Sequence, residues 1–312
     1  MFKRKSYWHP QLPLLTKSNQ FKEALGNDLY IIVDGGAAGD IETPFNAIKE
    51  ISRFVRFEPR GSETVNLGND IFVDGGLWDK DEMKELHIAK RQTTSSIYPP
   101  NEAFLNNYDD RYGLPPRSTI EKVDMNLRSI DSAVAKNEMP KPNFIKLDIH
   151  SAEYEAVLGS INSLSNNIGF LIETWHSEVH KGQHLHCEIE SYLSSIGYEV
   201  FDTRMAAAWK YKYEHNISSF DKPRYIGSEM LFFRKEIPEH LELKYIGLCD
   251  LFNFSNLARA LISKSEIDSI RALKANYELI IKRKYYNWLI KDLGFVSETK
   301  DTIKKMLGRY NP

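Results

Sequence analysis

Apolar runs that stop abruptly at an acidic residue recur along this chain, and they constrain its fold more than any other feature. Leu29–Val33 runs into Asp34-Gly35-Gly36, Arg53–Phe57 into Glu58-Pro59, and Ile71–Val73 into Asp74-Gly75-Gly76. Phe144–Ile149 carries Asp148 near its end, and Phe170–Glu173 closes on its own acid. A short apolar run meeting a tight turn reads as a buried strand. Leu86–Ala89, Tyr198–Phe201 and Glu229–Phe233 read as further strands. Helix signals fall between them. Thr43 is placed as an N-cap with Pro44 at the first helical position, and Phe45, Ile48 and Ile51 share one face. Ser151–Leu158 is closed by Gly159, and a helix from about Leu185 to Ile196 stops at Gly197. This alternation predicts an α/β fold with a doubly wound, mainly parallel, Rossmann-like sheet. Such sheets bind ligands beyond the carboxyl ends of their strands, where Asp34, Glu58, Asp74, Asp148 and Glu173 all fall.

Three regions are expected: a lead over 1–28 with a helical piece at Phe21–Leu25, the alternating domain over 29–235, and a basic helical extension over 236–312. Residues 1–234 hold 27 Lys+Arg against 33 Asp+Glu, and the remainder 14 against 10, so the basic excess is confined to the tail. Within it, Lys282-Arg283-Lys284 lies beside Tyr285, Tyr286 and Trp288. Three readings of that tail stand side by side. It is a helix that pairs with a second copy, a basic aromatic face on a membrane surface, or an appendage packed on its own domain. Residues 91–117 carry few periodic signals and many turn residues, as a functional or mobile loop does.

The overall charge of -2 gives no pull toward nucleic acid or anionic lipid. Cys187 and Cys249 form neither a CxxC pair nor a disulfide framework, which suits a reducing cytoplasm. The basic start Met1-Phe2-Lys3-Arg4-Lys5 is not followed by a signal-like apolar run. No stretch approaches the roughly 18 apolar residues of a membrane span.

The first turn, Asp34-Gly35-Gly36-Ala37-Ala38-Gly39, lets backbone approach a ligand closely. Its spacing is not the Gly-x-Gly-x-x-Gly that seats a pyrophosphate, and the carboxylate of Asp34 would repel one. An acid there suits a ligand bearing positive charge or amino groups, as S-adenosylmethionine does. Glu58, ending the second strand, is placed to accept hydrogen bonds from ribose hydroxyls, which fits NAD as well. In the third dense segment, Lys146 and Asp148 share one strand face, and Asp148 is the expected partner of the lysine.

Several segments in order resemble the FkbM-type methyltransferases. Val33-Asp34-Gly35-Gly36-Ala37 resembles the family's first motif, and Phe57-Glu58-Pro59 its second-strand signature. Leu77-Trp78-Asp79-Lys80, then Glu85-Leu86-His87 and Ser95-Ser96-Ile97, is similar to its third block. Phe144-Ile145-Lys146-Leu147-Asp148, Ala152-Glu153-Tyr154-Glu155 and Leu158-Gly159 form the most specific match, completed by Ile172-Glu173 and Gly197-Tyr198. The resemblance covers roughly residues 30–234. Two positions depart from it. His150-Ser151 stands where the family has an acidic or polar residue followed by Gly, and Ala38 where it often has Asn.

The resemblance implies a class I methyltransferase fold and methyl transfer from S-adenosylmethionine to oxygen, often on sugars of surface glycans or on natural products, with S-adenosylhomocysteine as product. On that reading Asp34, Gly36, Ala37 and Gly39 shape the methionine pocket, Glu58 holds the ribose, and Leu77 and Trp78 flank adenine. Asp148 sits near the cofactor's amino group, and the long loop covers the substrate. Removing the hydroxyl proton calls for a base near neutral pKa, for which His150 and His176 are the candidates, beside Asp148 and Glu173. His176, His180, His184 and His186 do not make a convincing metal set, since a metal needs three or four fixed ligands. A magnesium ion on Asp148 and Glu173 is a lesser alternative, and no metal is expected. The rivals are an NAD-dependent oxidoreductase and a non-catalytic scaffold in glycan assembly. The acceptor is expected to be a carbohydrate or other small-molecule hydroxyl, and nucleic acid is not an expected partner.

Overall fold

The structure, a computed structural model, describes residues 15–36, 40–58, 65–68, 70–213 and 221–292. Side chains at 58, 65–67 and 284–292 are outside that description. The expectations placed on the basic N-terminal start, on Ala37, Gly39 and the Glu58 side chain, and on Lys284, Tyr285, Tyr286 and Trp288 therefore lie outside the described residues. The chain divides into two compact units.

The first unit falls within Tyr30–Asp40 and Ser52–Pro238. Its strands are β1 (Tyr30–Gly35), β2 (Ser52–Glu58), β3 (Val65–Leu67), β4 (Asp70–Asp74), β5 (Gly76–Leu77), β6 (Glu82–Ala89), β7 (Thr119–Arg128), β8 (Phe144–Leu147), β9 (Gly169–Trp175), β10 (Tyr198–Trp209) and β11 (Arg224–Arg234). Eight of them form one sheet in the order β10-β11-β9-β8-β1-β2-β4-β3. The five central strands, β4-β2-β1-β8-β9, run parallel, and β3, β11 and β10 add antiparallel edges. Strand β8 is buried along its whole length, as a central parallel strand is expected to be. Val33, Val55, Ile145, Leu147, Phe170 and Ile172 share one core with Ala156, Val157, Ile189 and Leu193 from the helices Glu153–Leu158 and His186–Ser195. The chain leaves β1 toward β2 and returns to its other side at β8, so strand order reverses between β1 and β8. In sheets of this kind ligands bind beyond the carboxyl ends of the strands at such a reversal.

Four sequence expectations are revised. The segment after Thr43-Pro44 is not a capped α-helix but 3-10 structure over Phe45–Ile51, because Ile48 (φ -116°, ψ 16°) leaves helical geometry. The strand near Leu86 is longer, and it pairs with β7, a ten-residue strand that the sequence reading passed over, in a separate sheet β5-β7-β6. Its Thr-Ile-Glu-Lys-Val-Asp composition hides period-two alternation, since both faces keep charged residues at the surface. Residues 91–117 are not a loose loop. They hold a 3-10 turn (Gln92–Thr94) and two single-turn helices (Glu102–Leu105 and Leu114–Arg117). Their backbone is tied down by Arg91 N to Pro116 O (2.8 Å), Asn101 N to Val179 O (2.9 Å) and Asp109 N to Lys210 O (3.0 Å). Finally, the last strands are a long antiparallel hairpin pair, β10 and β11, in place of two short segments.

The second unit falls within Met1–Leu29, Ile41–Ile51 and Glu239–Pro312. Ser18 caps a helix over Asn19–Leu25 by accepting from Phe21 N (3.2 Å). Among the described residues of the C-terminal part, four α-helices follow, Glu242–Leu251, Ser255–Lys264, Asp268–Arg271 and Leu273–Asp292. Asp250 joins the separated pieces: its buried carboxylate accepts from Leu15 N (2.8 Å) and from Tyr277 Oη (2.5 Å). Lys244 Nζ donates to Asp28 (2.7 Å) and to the Leu29 carbonyl (2.9 Å).

Candidate active site

The site is built where strand order reverses. Gly36 follows β1 with φ +85°, and a Cβ there would lie 1.9 Å from the Asp148 carbonyl oxygen. Asp148 N donates to Gly35 O (3.2 Å), so the turns after β1 and β8 lie against one another. Only glycine fits the close approach. Asp34 is buried, and its partner is Lys146, whose Nζ lies 3.0 Å from Oδ1. This salt bridge replaces the expected Lys146–Asp148 pair. The reason is register: Asp34 and Lys146 are Cα partners on adjacent parallel strands, so their side chains leave the sheet on the same face. Strand β8 ends at Leu147, which puts Asp148 on the turn.

That turn is unusual. His150 (φ +55°) and Ser151 (φ +87°) are consecutive non-glycine residues in left-handed backbone. The conformation is fixed from three directions. Ser96 Oγ donates to the His150 carbonyl (2.6 Å), and Glu153 accepts from Ile149 N (2.9 Å). Ser151 Oγ bonds His180 Nδ1 (2.7 Å) and Gln183 Oε1 (3.1 Å). Burial holds His180 down at about 3, so its ring is neutral; a proton assigned to Nδ1 satisfies both contacts of the serine.

The result is a cluster at the mouth of the sheet. His150 Nδ1 stands 3.4 Å from Glu173 Oε2 on β9, and Asp148 completes a group of three whose ligand-type atoms lie within 4.8 Å of one another. Burial alone would lower the His150 pKa, but Glu173, Asp148 and Glu153 outweigh it and raise it to about 9. Burial, then repulsion from Glu173, lifts Asp148 to about 6 against the pull of Lys146 and His150. Glu153, fully inside the protein, is pushed to about 8 by burial and then Glu173. Carboxylates crowd around one imidazole here, and such a cluster of perturbed titratable groups marks a candidate functional site.

The other expected residues are distributed as follows. Leu77 belongs to the main core. Trp78 is buried with Leu127 and Ala152, with the Tyr98 ring 5.9 Å away and Lys84 Nζ 4.1 Å from its own ring centroid. His176, after β9, is not part of the cluster: Nε2 contacts Ser228 Oγ, and the ring lies 3.9 Å from that of His186 and 4.6 Å from that of Tyr225. Burial, then His186, lowers its pKa. His184 stacks on Tyr154 and bonds Glu188, while His180 serves Ser151, so these four histidines do not converge. Sequence reasoning missed Glu153 as a site group and Gln183 and Ser96 as supports of the turn. The departure at His150-Ser151 was the available signal.

The mostly parallel sheet with its helices is an α/β architecture consistent with a methyltransferase fold. Residues 35–200, more than half of the chain, match the family model of the Methyltransferase FkbM domain. The chain belongs to the FkbM methyltransferase family. No curated protein and no solved structure matches it significantly. Among the described residues, no helix is long and apolar enough to cross a membrane.

Proposed function

We propose that this methyltransferase uses S-adenosylmethionine to methylate a hydroxyl of a sugar or glycan, releasing S-adenosylhomocysteine. The observation that carries the reading is the cluster of Asp148, His150 and Glu173 beside the glycine turn after β1, in a chain of this family. The residues fit such a cofactor. Gly36 keeps the turn free of a side chain, and the carboxylates at the mouth suit a sulfonium and an amino group. Asp34, Gly36, Ala37 and Gly39 would form the methionine end of the pocket, Glu58 would hold the ribose, and Leu77 and Trp78 would border the adenine side.

When bound, the cofactor supplies a strongly electrophilic methyl group. The protein's task is to hold the acceptor oxygen in line and to take its proton. We place proton acceptance on the cluster of Asp148, His150 and Glu173, since His176 is engaged with Ser228 and Tyr225 of β11 instead. The buried surroundings strengthen each of these interactions.

The doubly wound sheet, a carbohydrate-type acceptor in place of nucleic acid, a cytoplasmic location and contact with a second copy or a membrane surface through the basic helices belong to the same reading. Its test is Glu58→Ala. That substitution removes about two charge-assisted hydrogen bonds and should weaken S-adenosylmethionine binding by about one to two orders of magnitude. Unchanged affinity in calorimetry would remove Glu58 from the site. A wild-type chain that binds neither S-adenosylmethionine nor S-adenosylhomocysteine would instead point to a non-catalytic scaffold.

A further inference from the structure

We propose that Asp148, His150 and Glu173 form a binding site for a divalent first-row transition cation, Mn2+ or Zn2+, at the mouth of the sheet. The sequence offers Asp148 and Glu173 as two carboxylates, which are too few for a fixed site. The turn after β8 brings in a third ligand of a different kind. His150 Nδ1 and Glu173 Oε2 are both buried and held by their mutual ion pair, in which a metal ion would take the place of the His150 proton. They face one another at 3.4 Å. Two ligands about 2.1 Å from one ion and subtending a tetrahedral angle stand about 3.4 Å apart, so the pair already has the bite of a chelate. Asp148 closes the group within 4.8 Å, a span that a small side-chain adjustment draws onto a single ion.

Two arguments choose the class of cation. One imidazole and two carboxylates are a mixed nitrogen and oxygen set, which suits Mn2+ and Zn2+ better than Mg2+ or Ca2+, whose ligands are oxygens. Three protein ligands also leave positions for water and for a substrate oxygen, the pattern of a working site. The support is rigid. Ser96, His180 and Gln183 hold the backbone that carries His150, and Glu173 sits within β9 between β8 and β11. The ion would hold the acceptor hydroxyl and ease loss of its proton. That role rests on the methyl-transfer reading, whereas the site itself does not.

The test uses the full chain, stripped with chelator and titrated with Mn2+ alone and Zn2+ alone, by calorimetry and, for manganese, by electron paramagnetic resonance. One tightly bound ion per chain is expected. Glu173→Gln, nearly isosteric and able to keep the fold, and His150→Ala should each weaken binding about tenfold or more. His176→Ala should leave binding unchanged. Far-ultraviolet dichroism identifies any variant that has lost its fold, and Glu173→Gln then decides. Failure of the stripped protein to bind either ion, or binding indifferent to Glu173→Gln, overturns the proposal. S-adenosylhomocysteine binding is measured on the same samples. Metal binding without cofactor binding keeps this site and removes the methyl-transfer reading, and cofactor binding without metal binding does the reverse.

Discussion

One added methyl group at position 36 would collide with the main chain of the neighbouring strand turn. The Asp148 carbonyl oxygen cannot retreat without breaking the 3.2 Å bond from Asp148 N to Gly35 O. Gly36→Ala combines that clash with a φ of +85° and should cost more than about 2 kcal/mol of stability, read as a lower midpoint in denaturant unfolding. A wild-type midpoint would show that the two turns do not abut. At this scale the sequence was partly legible. Residue type and position single out Asp34, Asp148 and Glu173 in the sequence, and the structure brings Asp148 and Glu173 together with His150. The partner of Lys146 was not legible, because only the register of β1 against β8 decides between Asp34 and Asp148. Ser151 shows the opposite case. It stands where the family has glycine and keeps a glycine-like φ of +87°, held there by contacts to His180 and Gln183 about thirty residues away, which a local reading does not see.

Between elements, Asp81 is the joint of the smaller sheet. Its carboxylate accepts from Ser129 N (3.0 Å), Ser132 Oγ (2.6 Å) and Lys136 Nζ (2.7 Å), and it pairs with Arg128 (3.3 Å). It thereby fastens β6 to the helix Ile130–Ala135 that follows β7. Burial works to raise its pKa, but Lys136, Ser132, Ser129 and Arg128 outweigh that and hold it at about 2, against 3.8 for a free aspartate. A depressed carboxylate stabilises the fold above its unfolded value and loses that effect as pH falls through the folded one. Asp81→Asn should therefore cost about 1 kcal/mol at pH 7, after allowing for its partial exposure. The gap between variant and wild type should close from pH 4 to pH 2. A pH-independent gap in unfolding experiments would assign the loss to packing. β7 itself was illegible for a related reason: strands paired at the surface are specified by their partners more than by their own composition.

On the scale of the whole molecule, the unit holding the C-terminal helices draws on three stretches of chain that the sequence presents as unrelated. Its 3-10 turn Leu15–Lys17 and its first helix lie against Glu242–Leu251 and Leu273–Asp292, and Phe45 meets Phe252 at 5.9 Å between ring centroids. Deleting Glu239–Pro312 should strip Leu15, Phe21 and Leu25 of their cover and leave a protein that aggregates or is rapidly cleaved before Tyr30. A truncated chain that stays monodisperse and resists protease would show that the lead is independent of the tail. The hydrogen bond from Leu15 N to Asp250 spans 235 positions. On a ribosome, the turn Leu15–Lys17 must therefore wait for Glu242–Leu251 to be made. The FkbM-matching region can begin to order in the meantime, and the Leu15–Leu25 segment becomes a natural client for a chaperone until its partners are made.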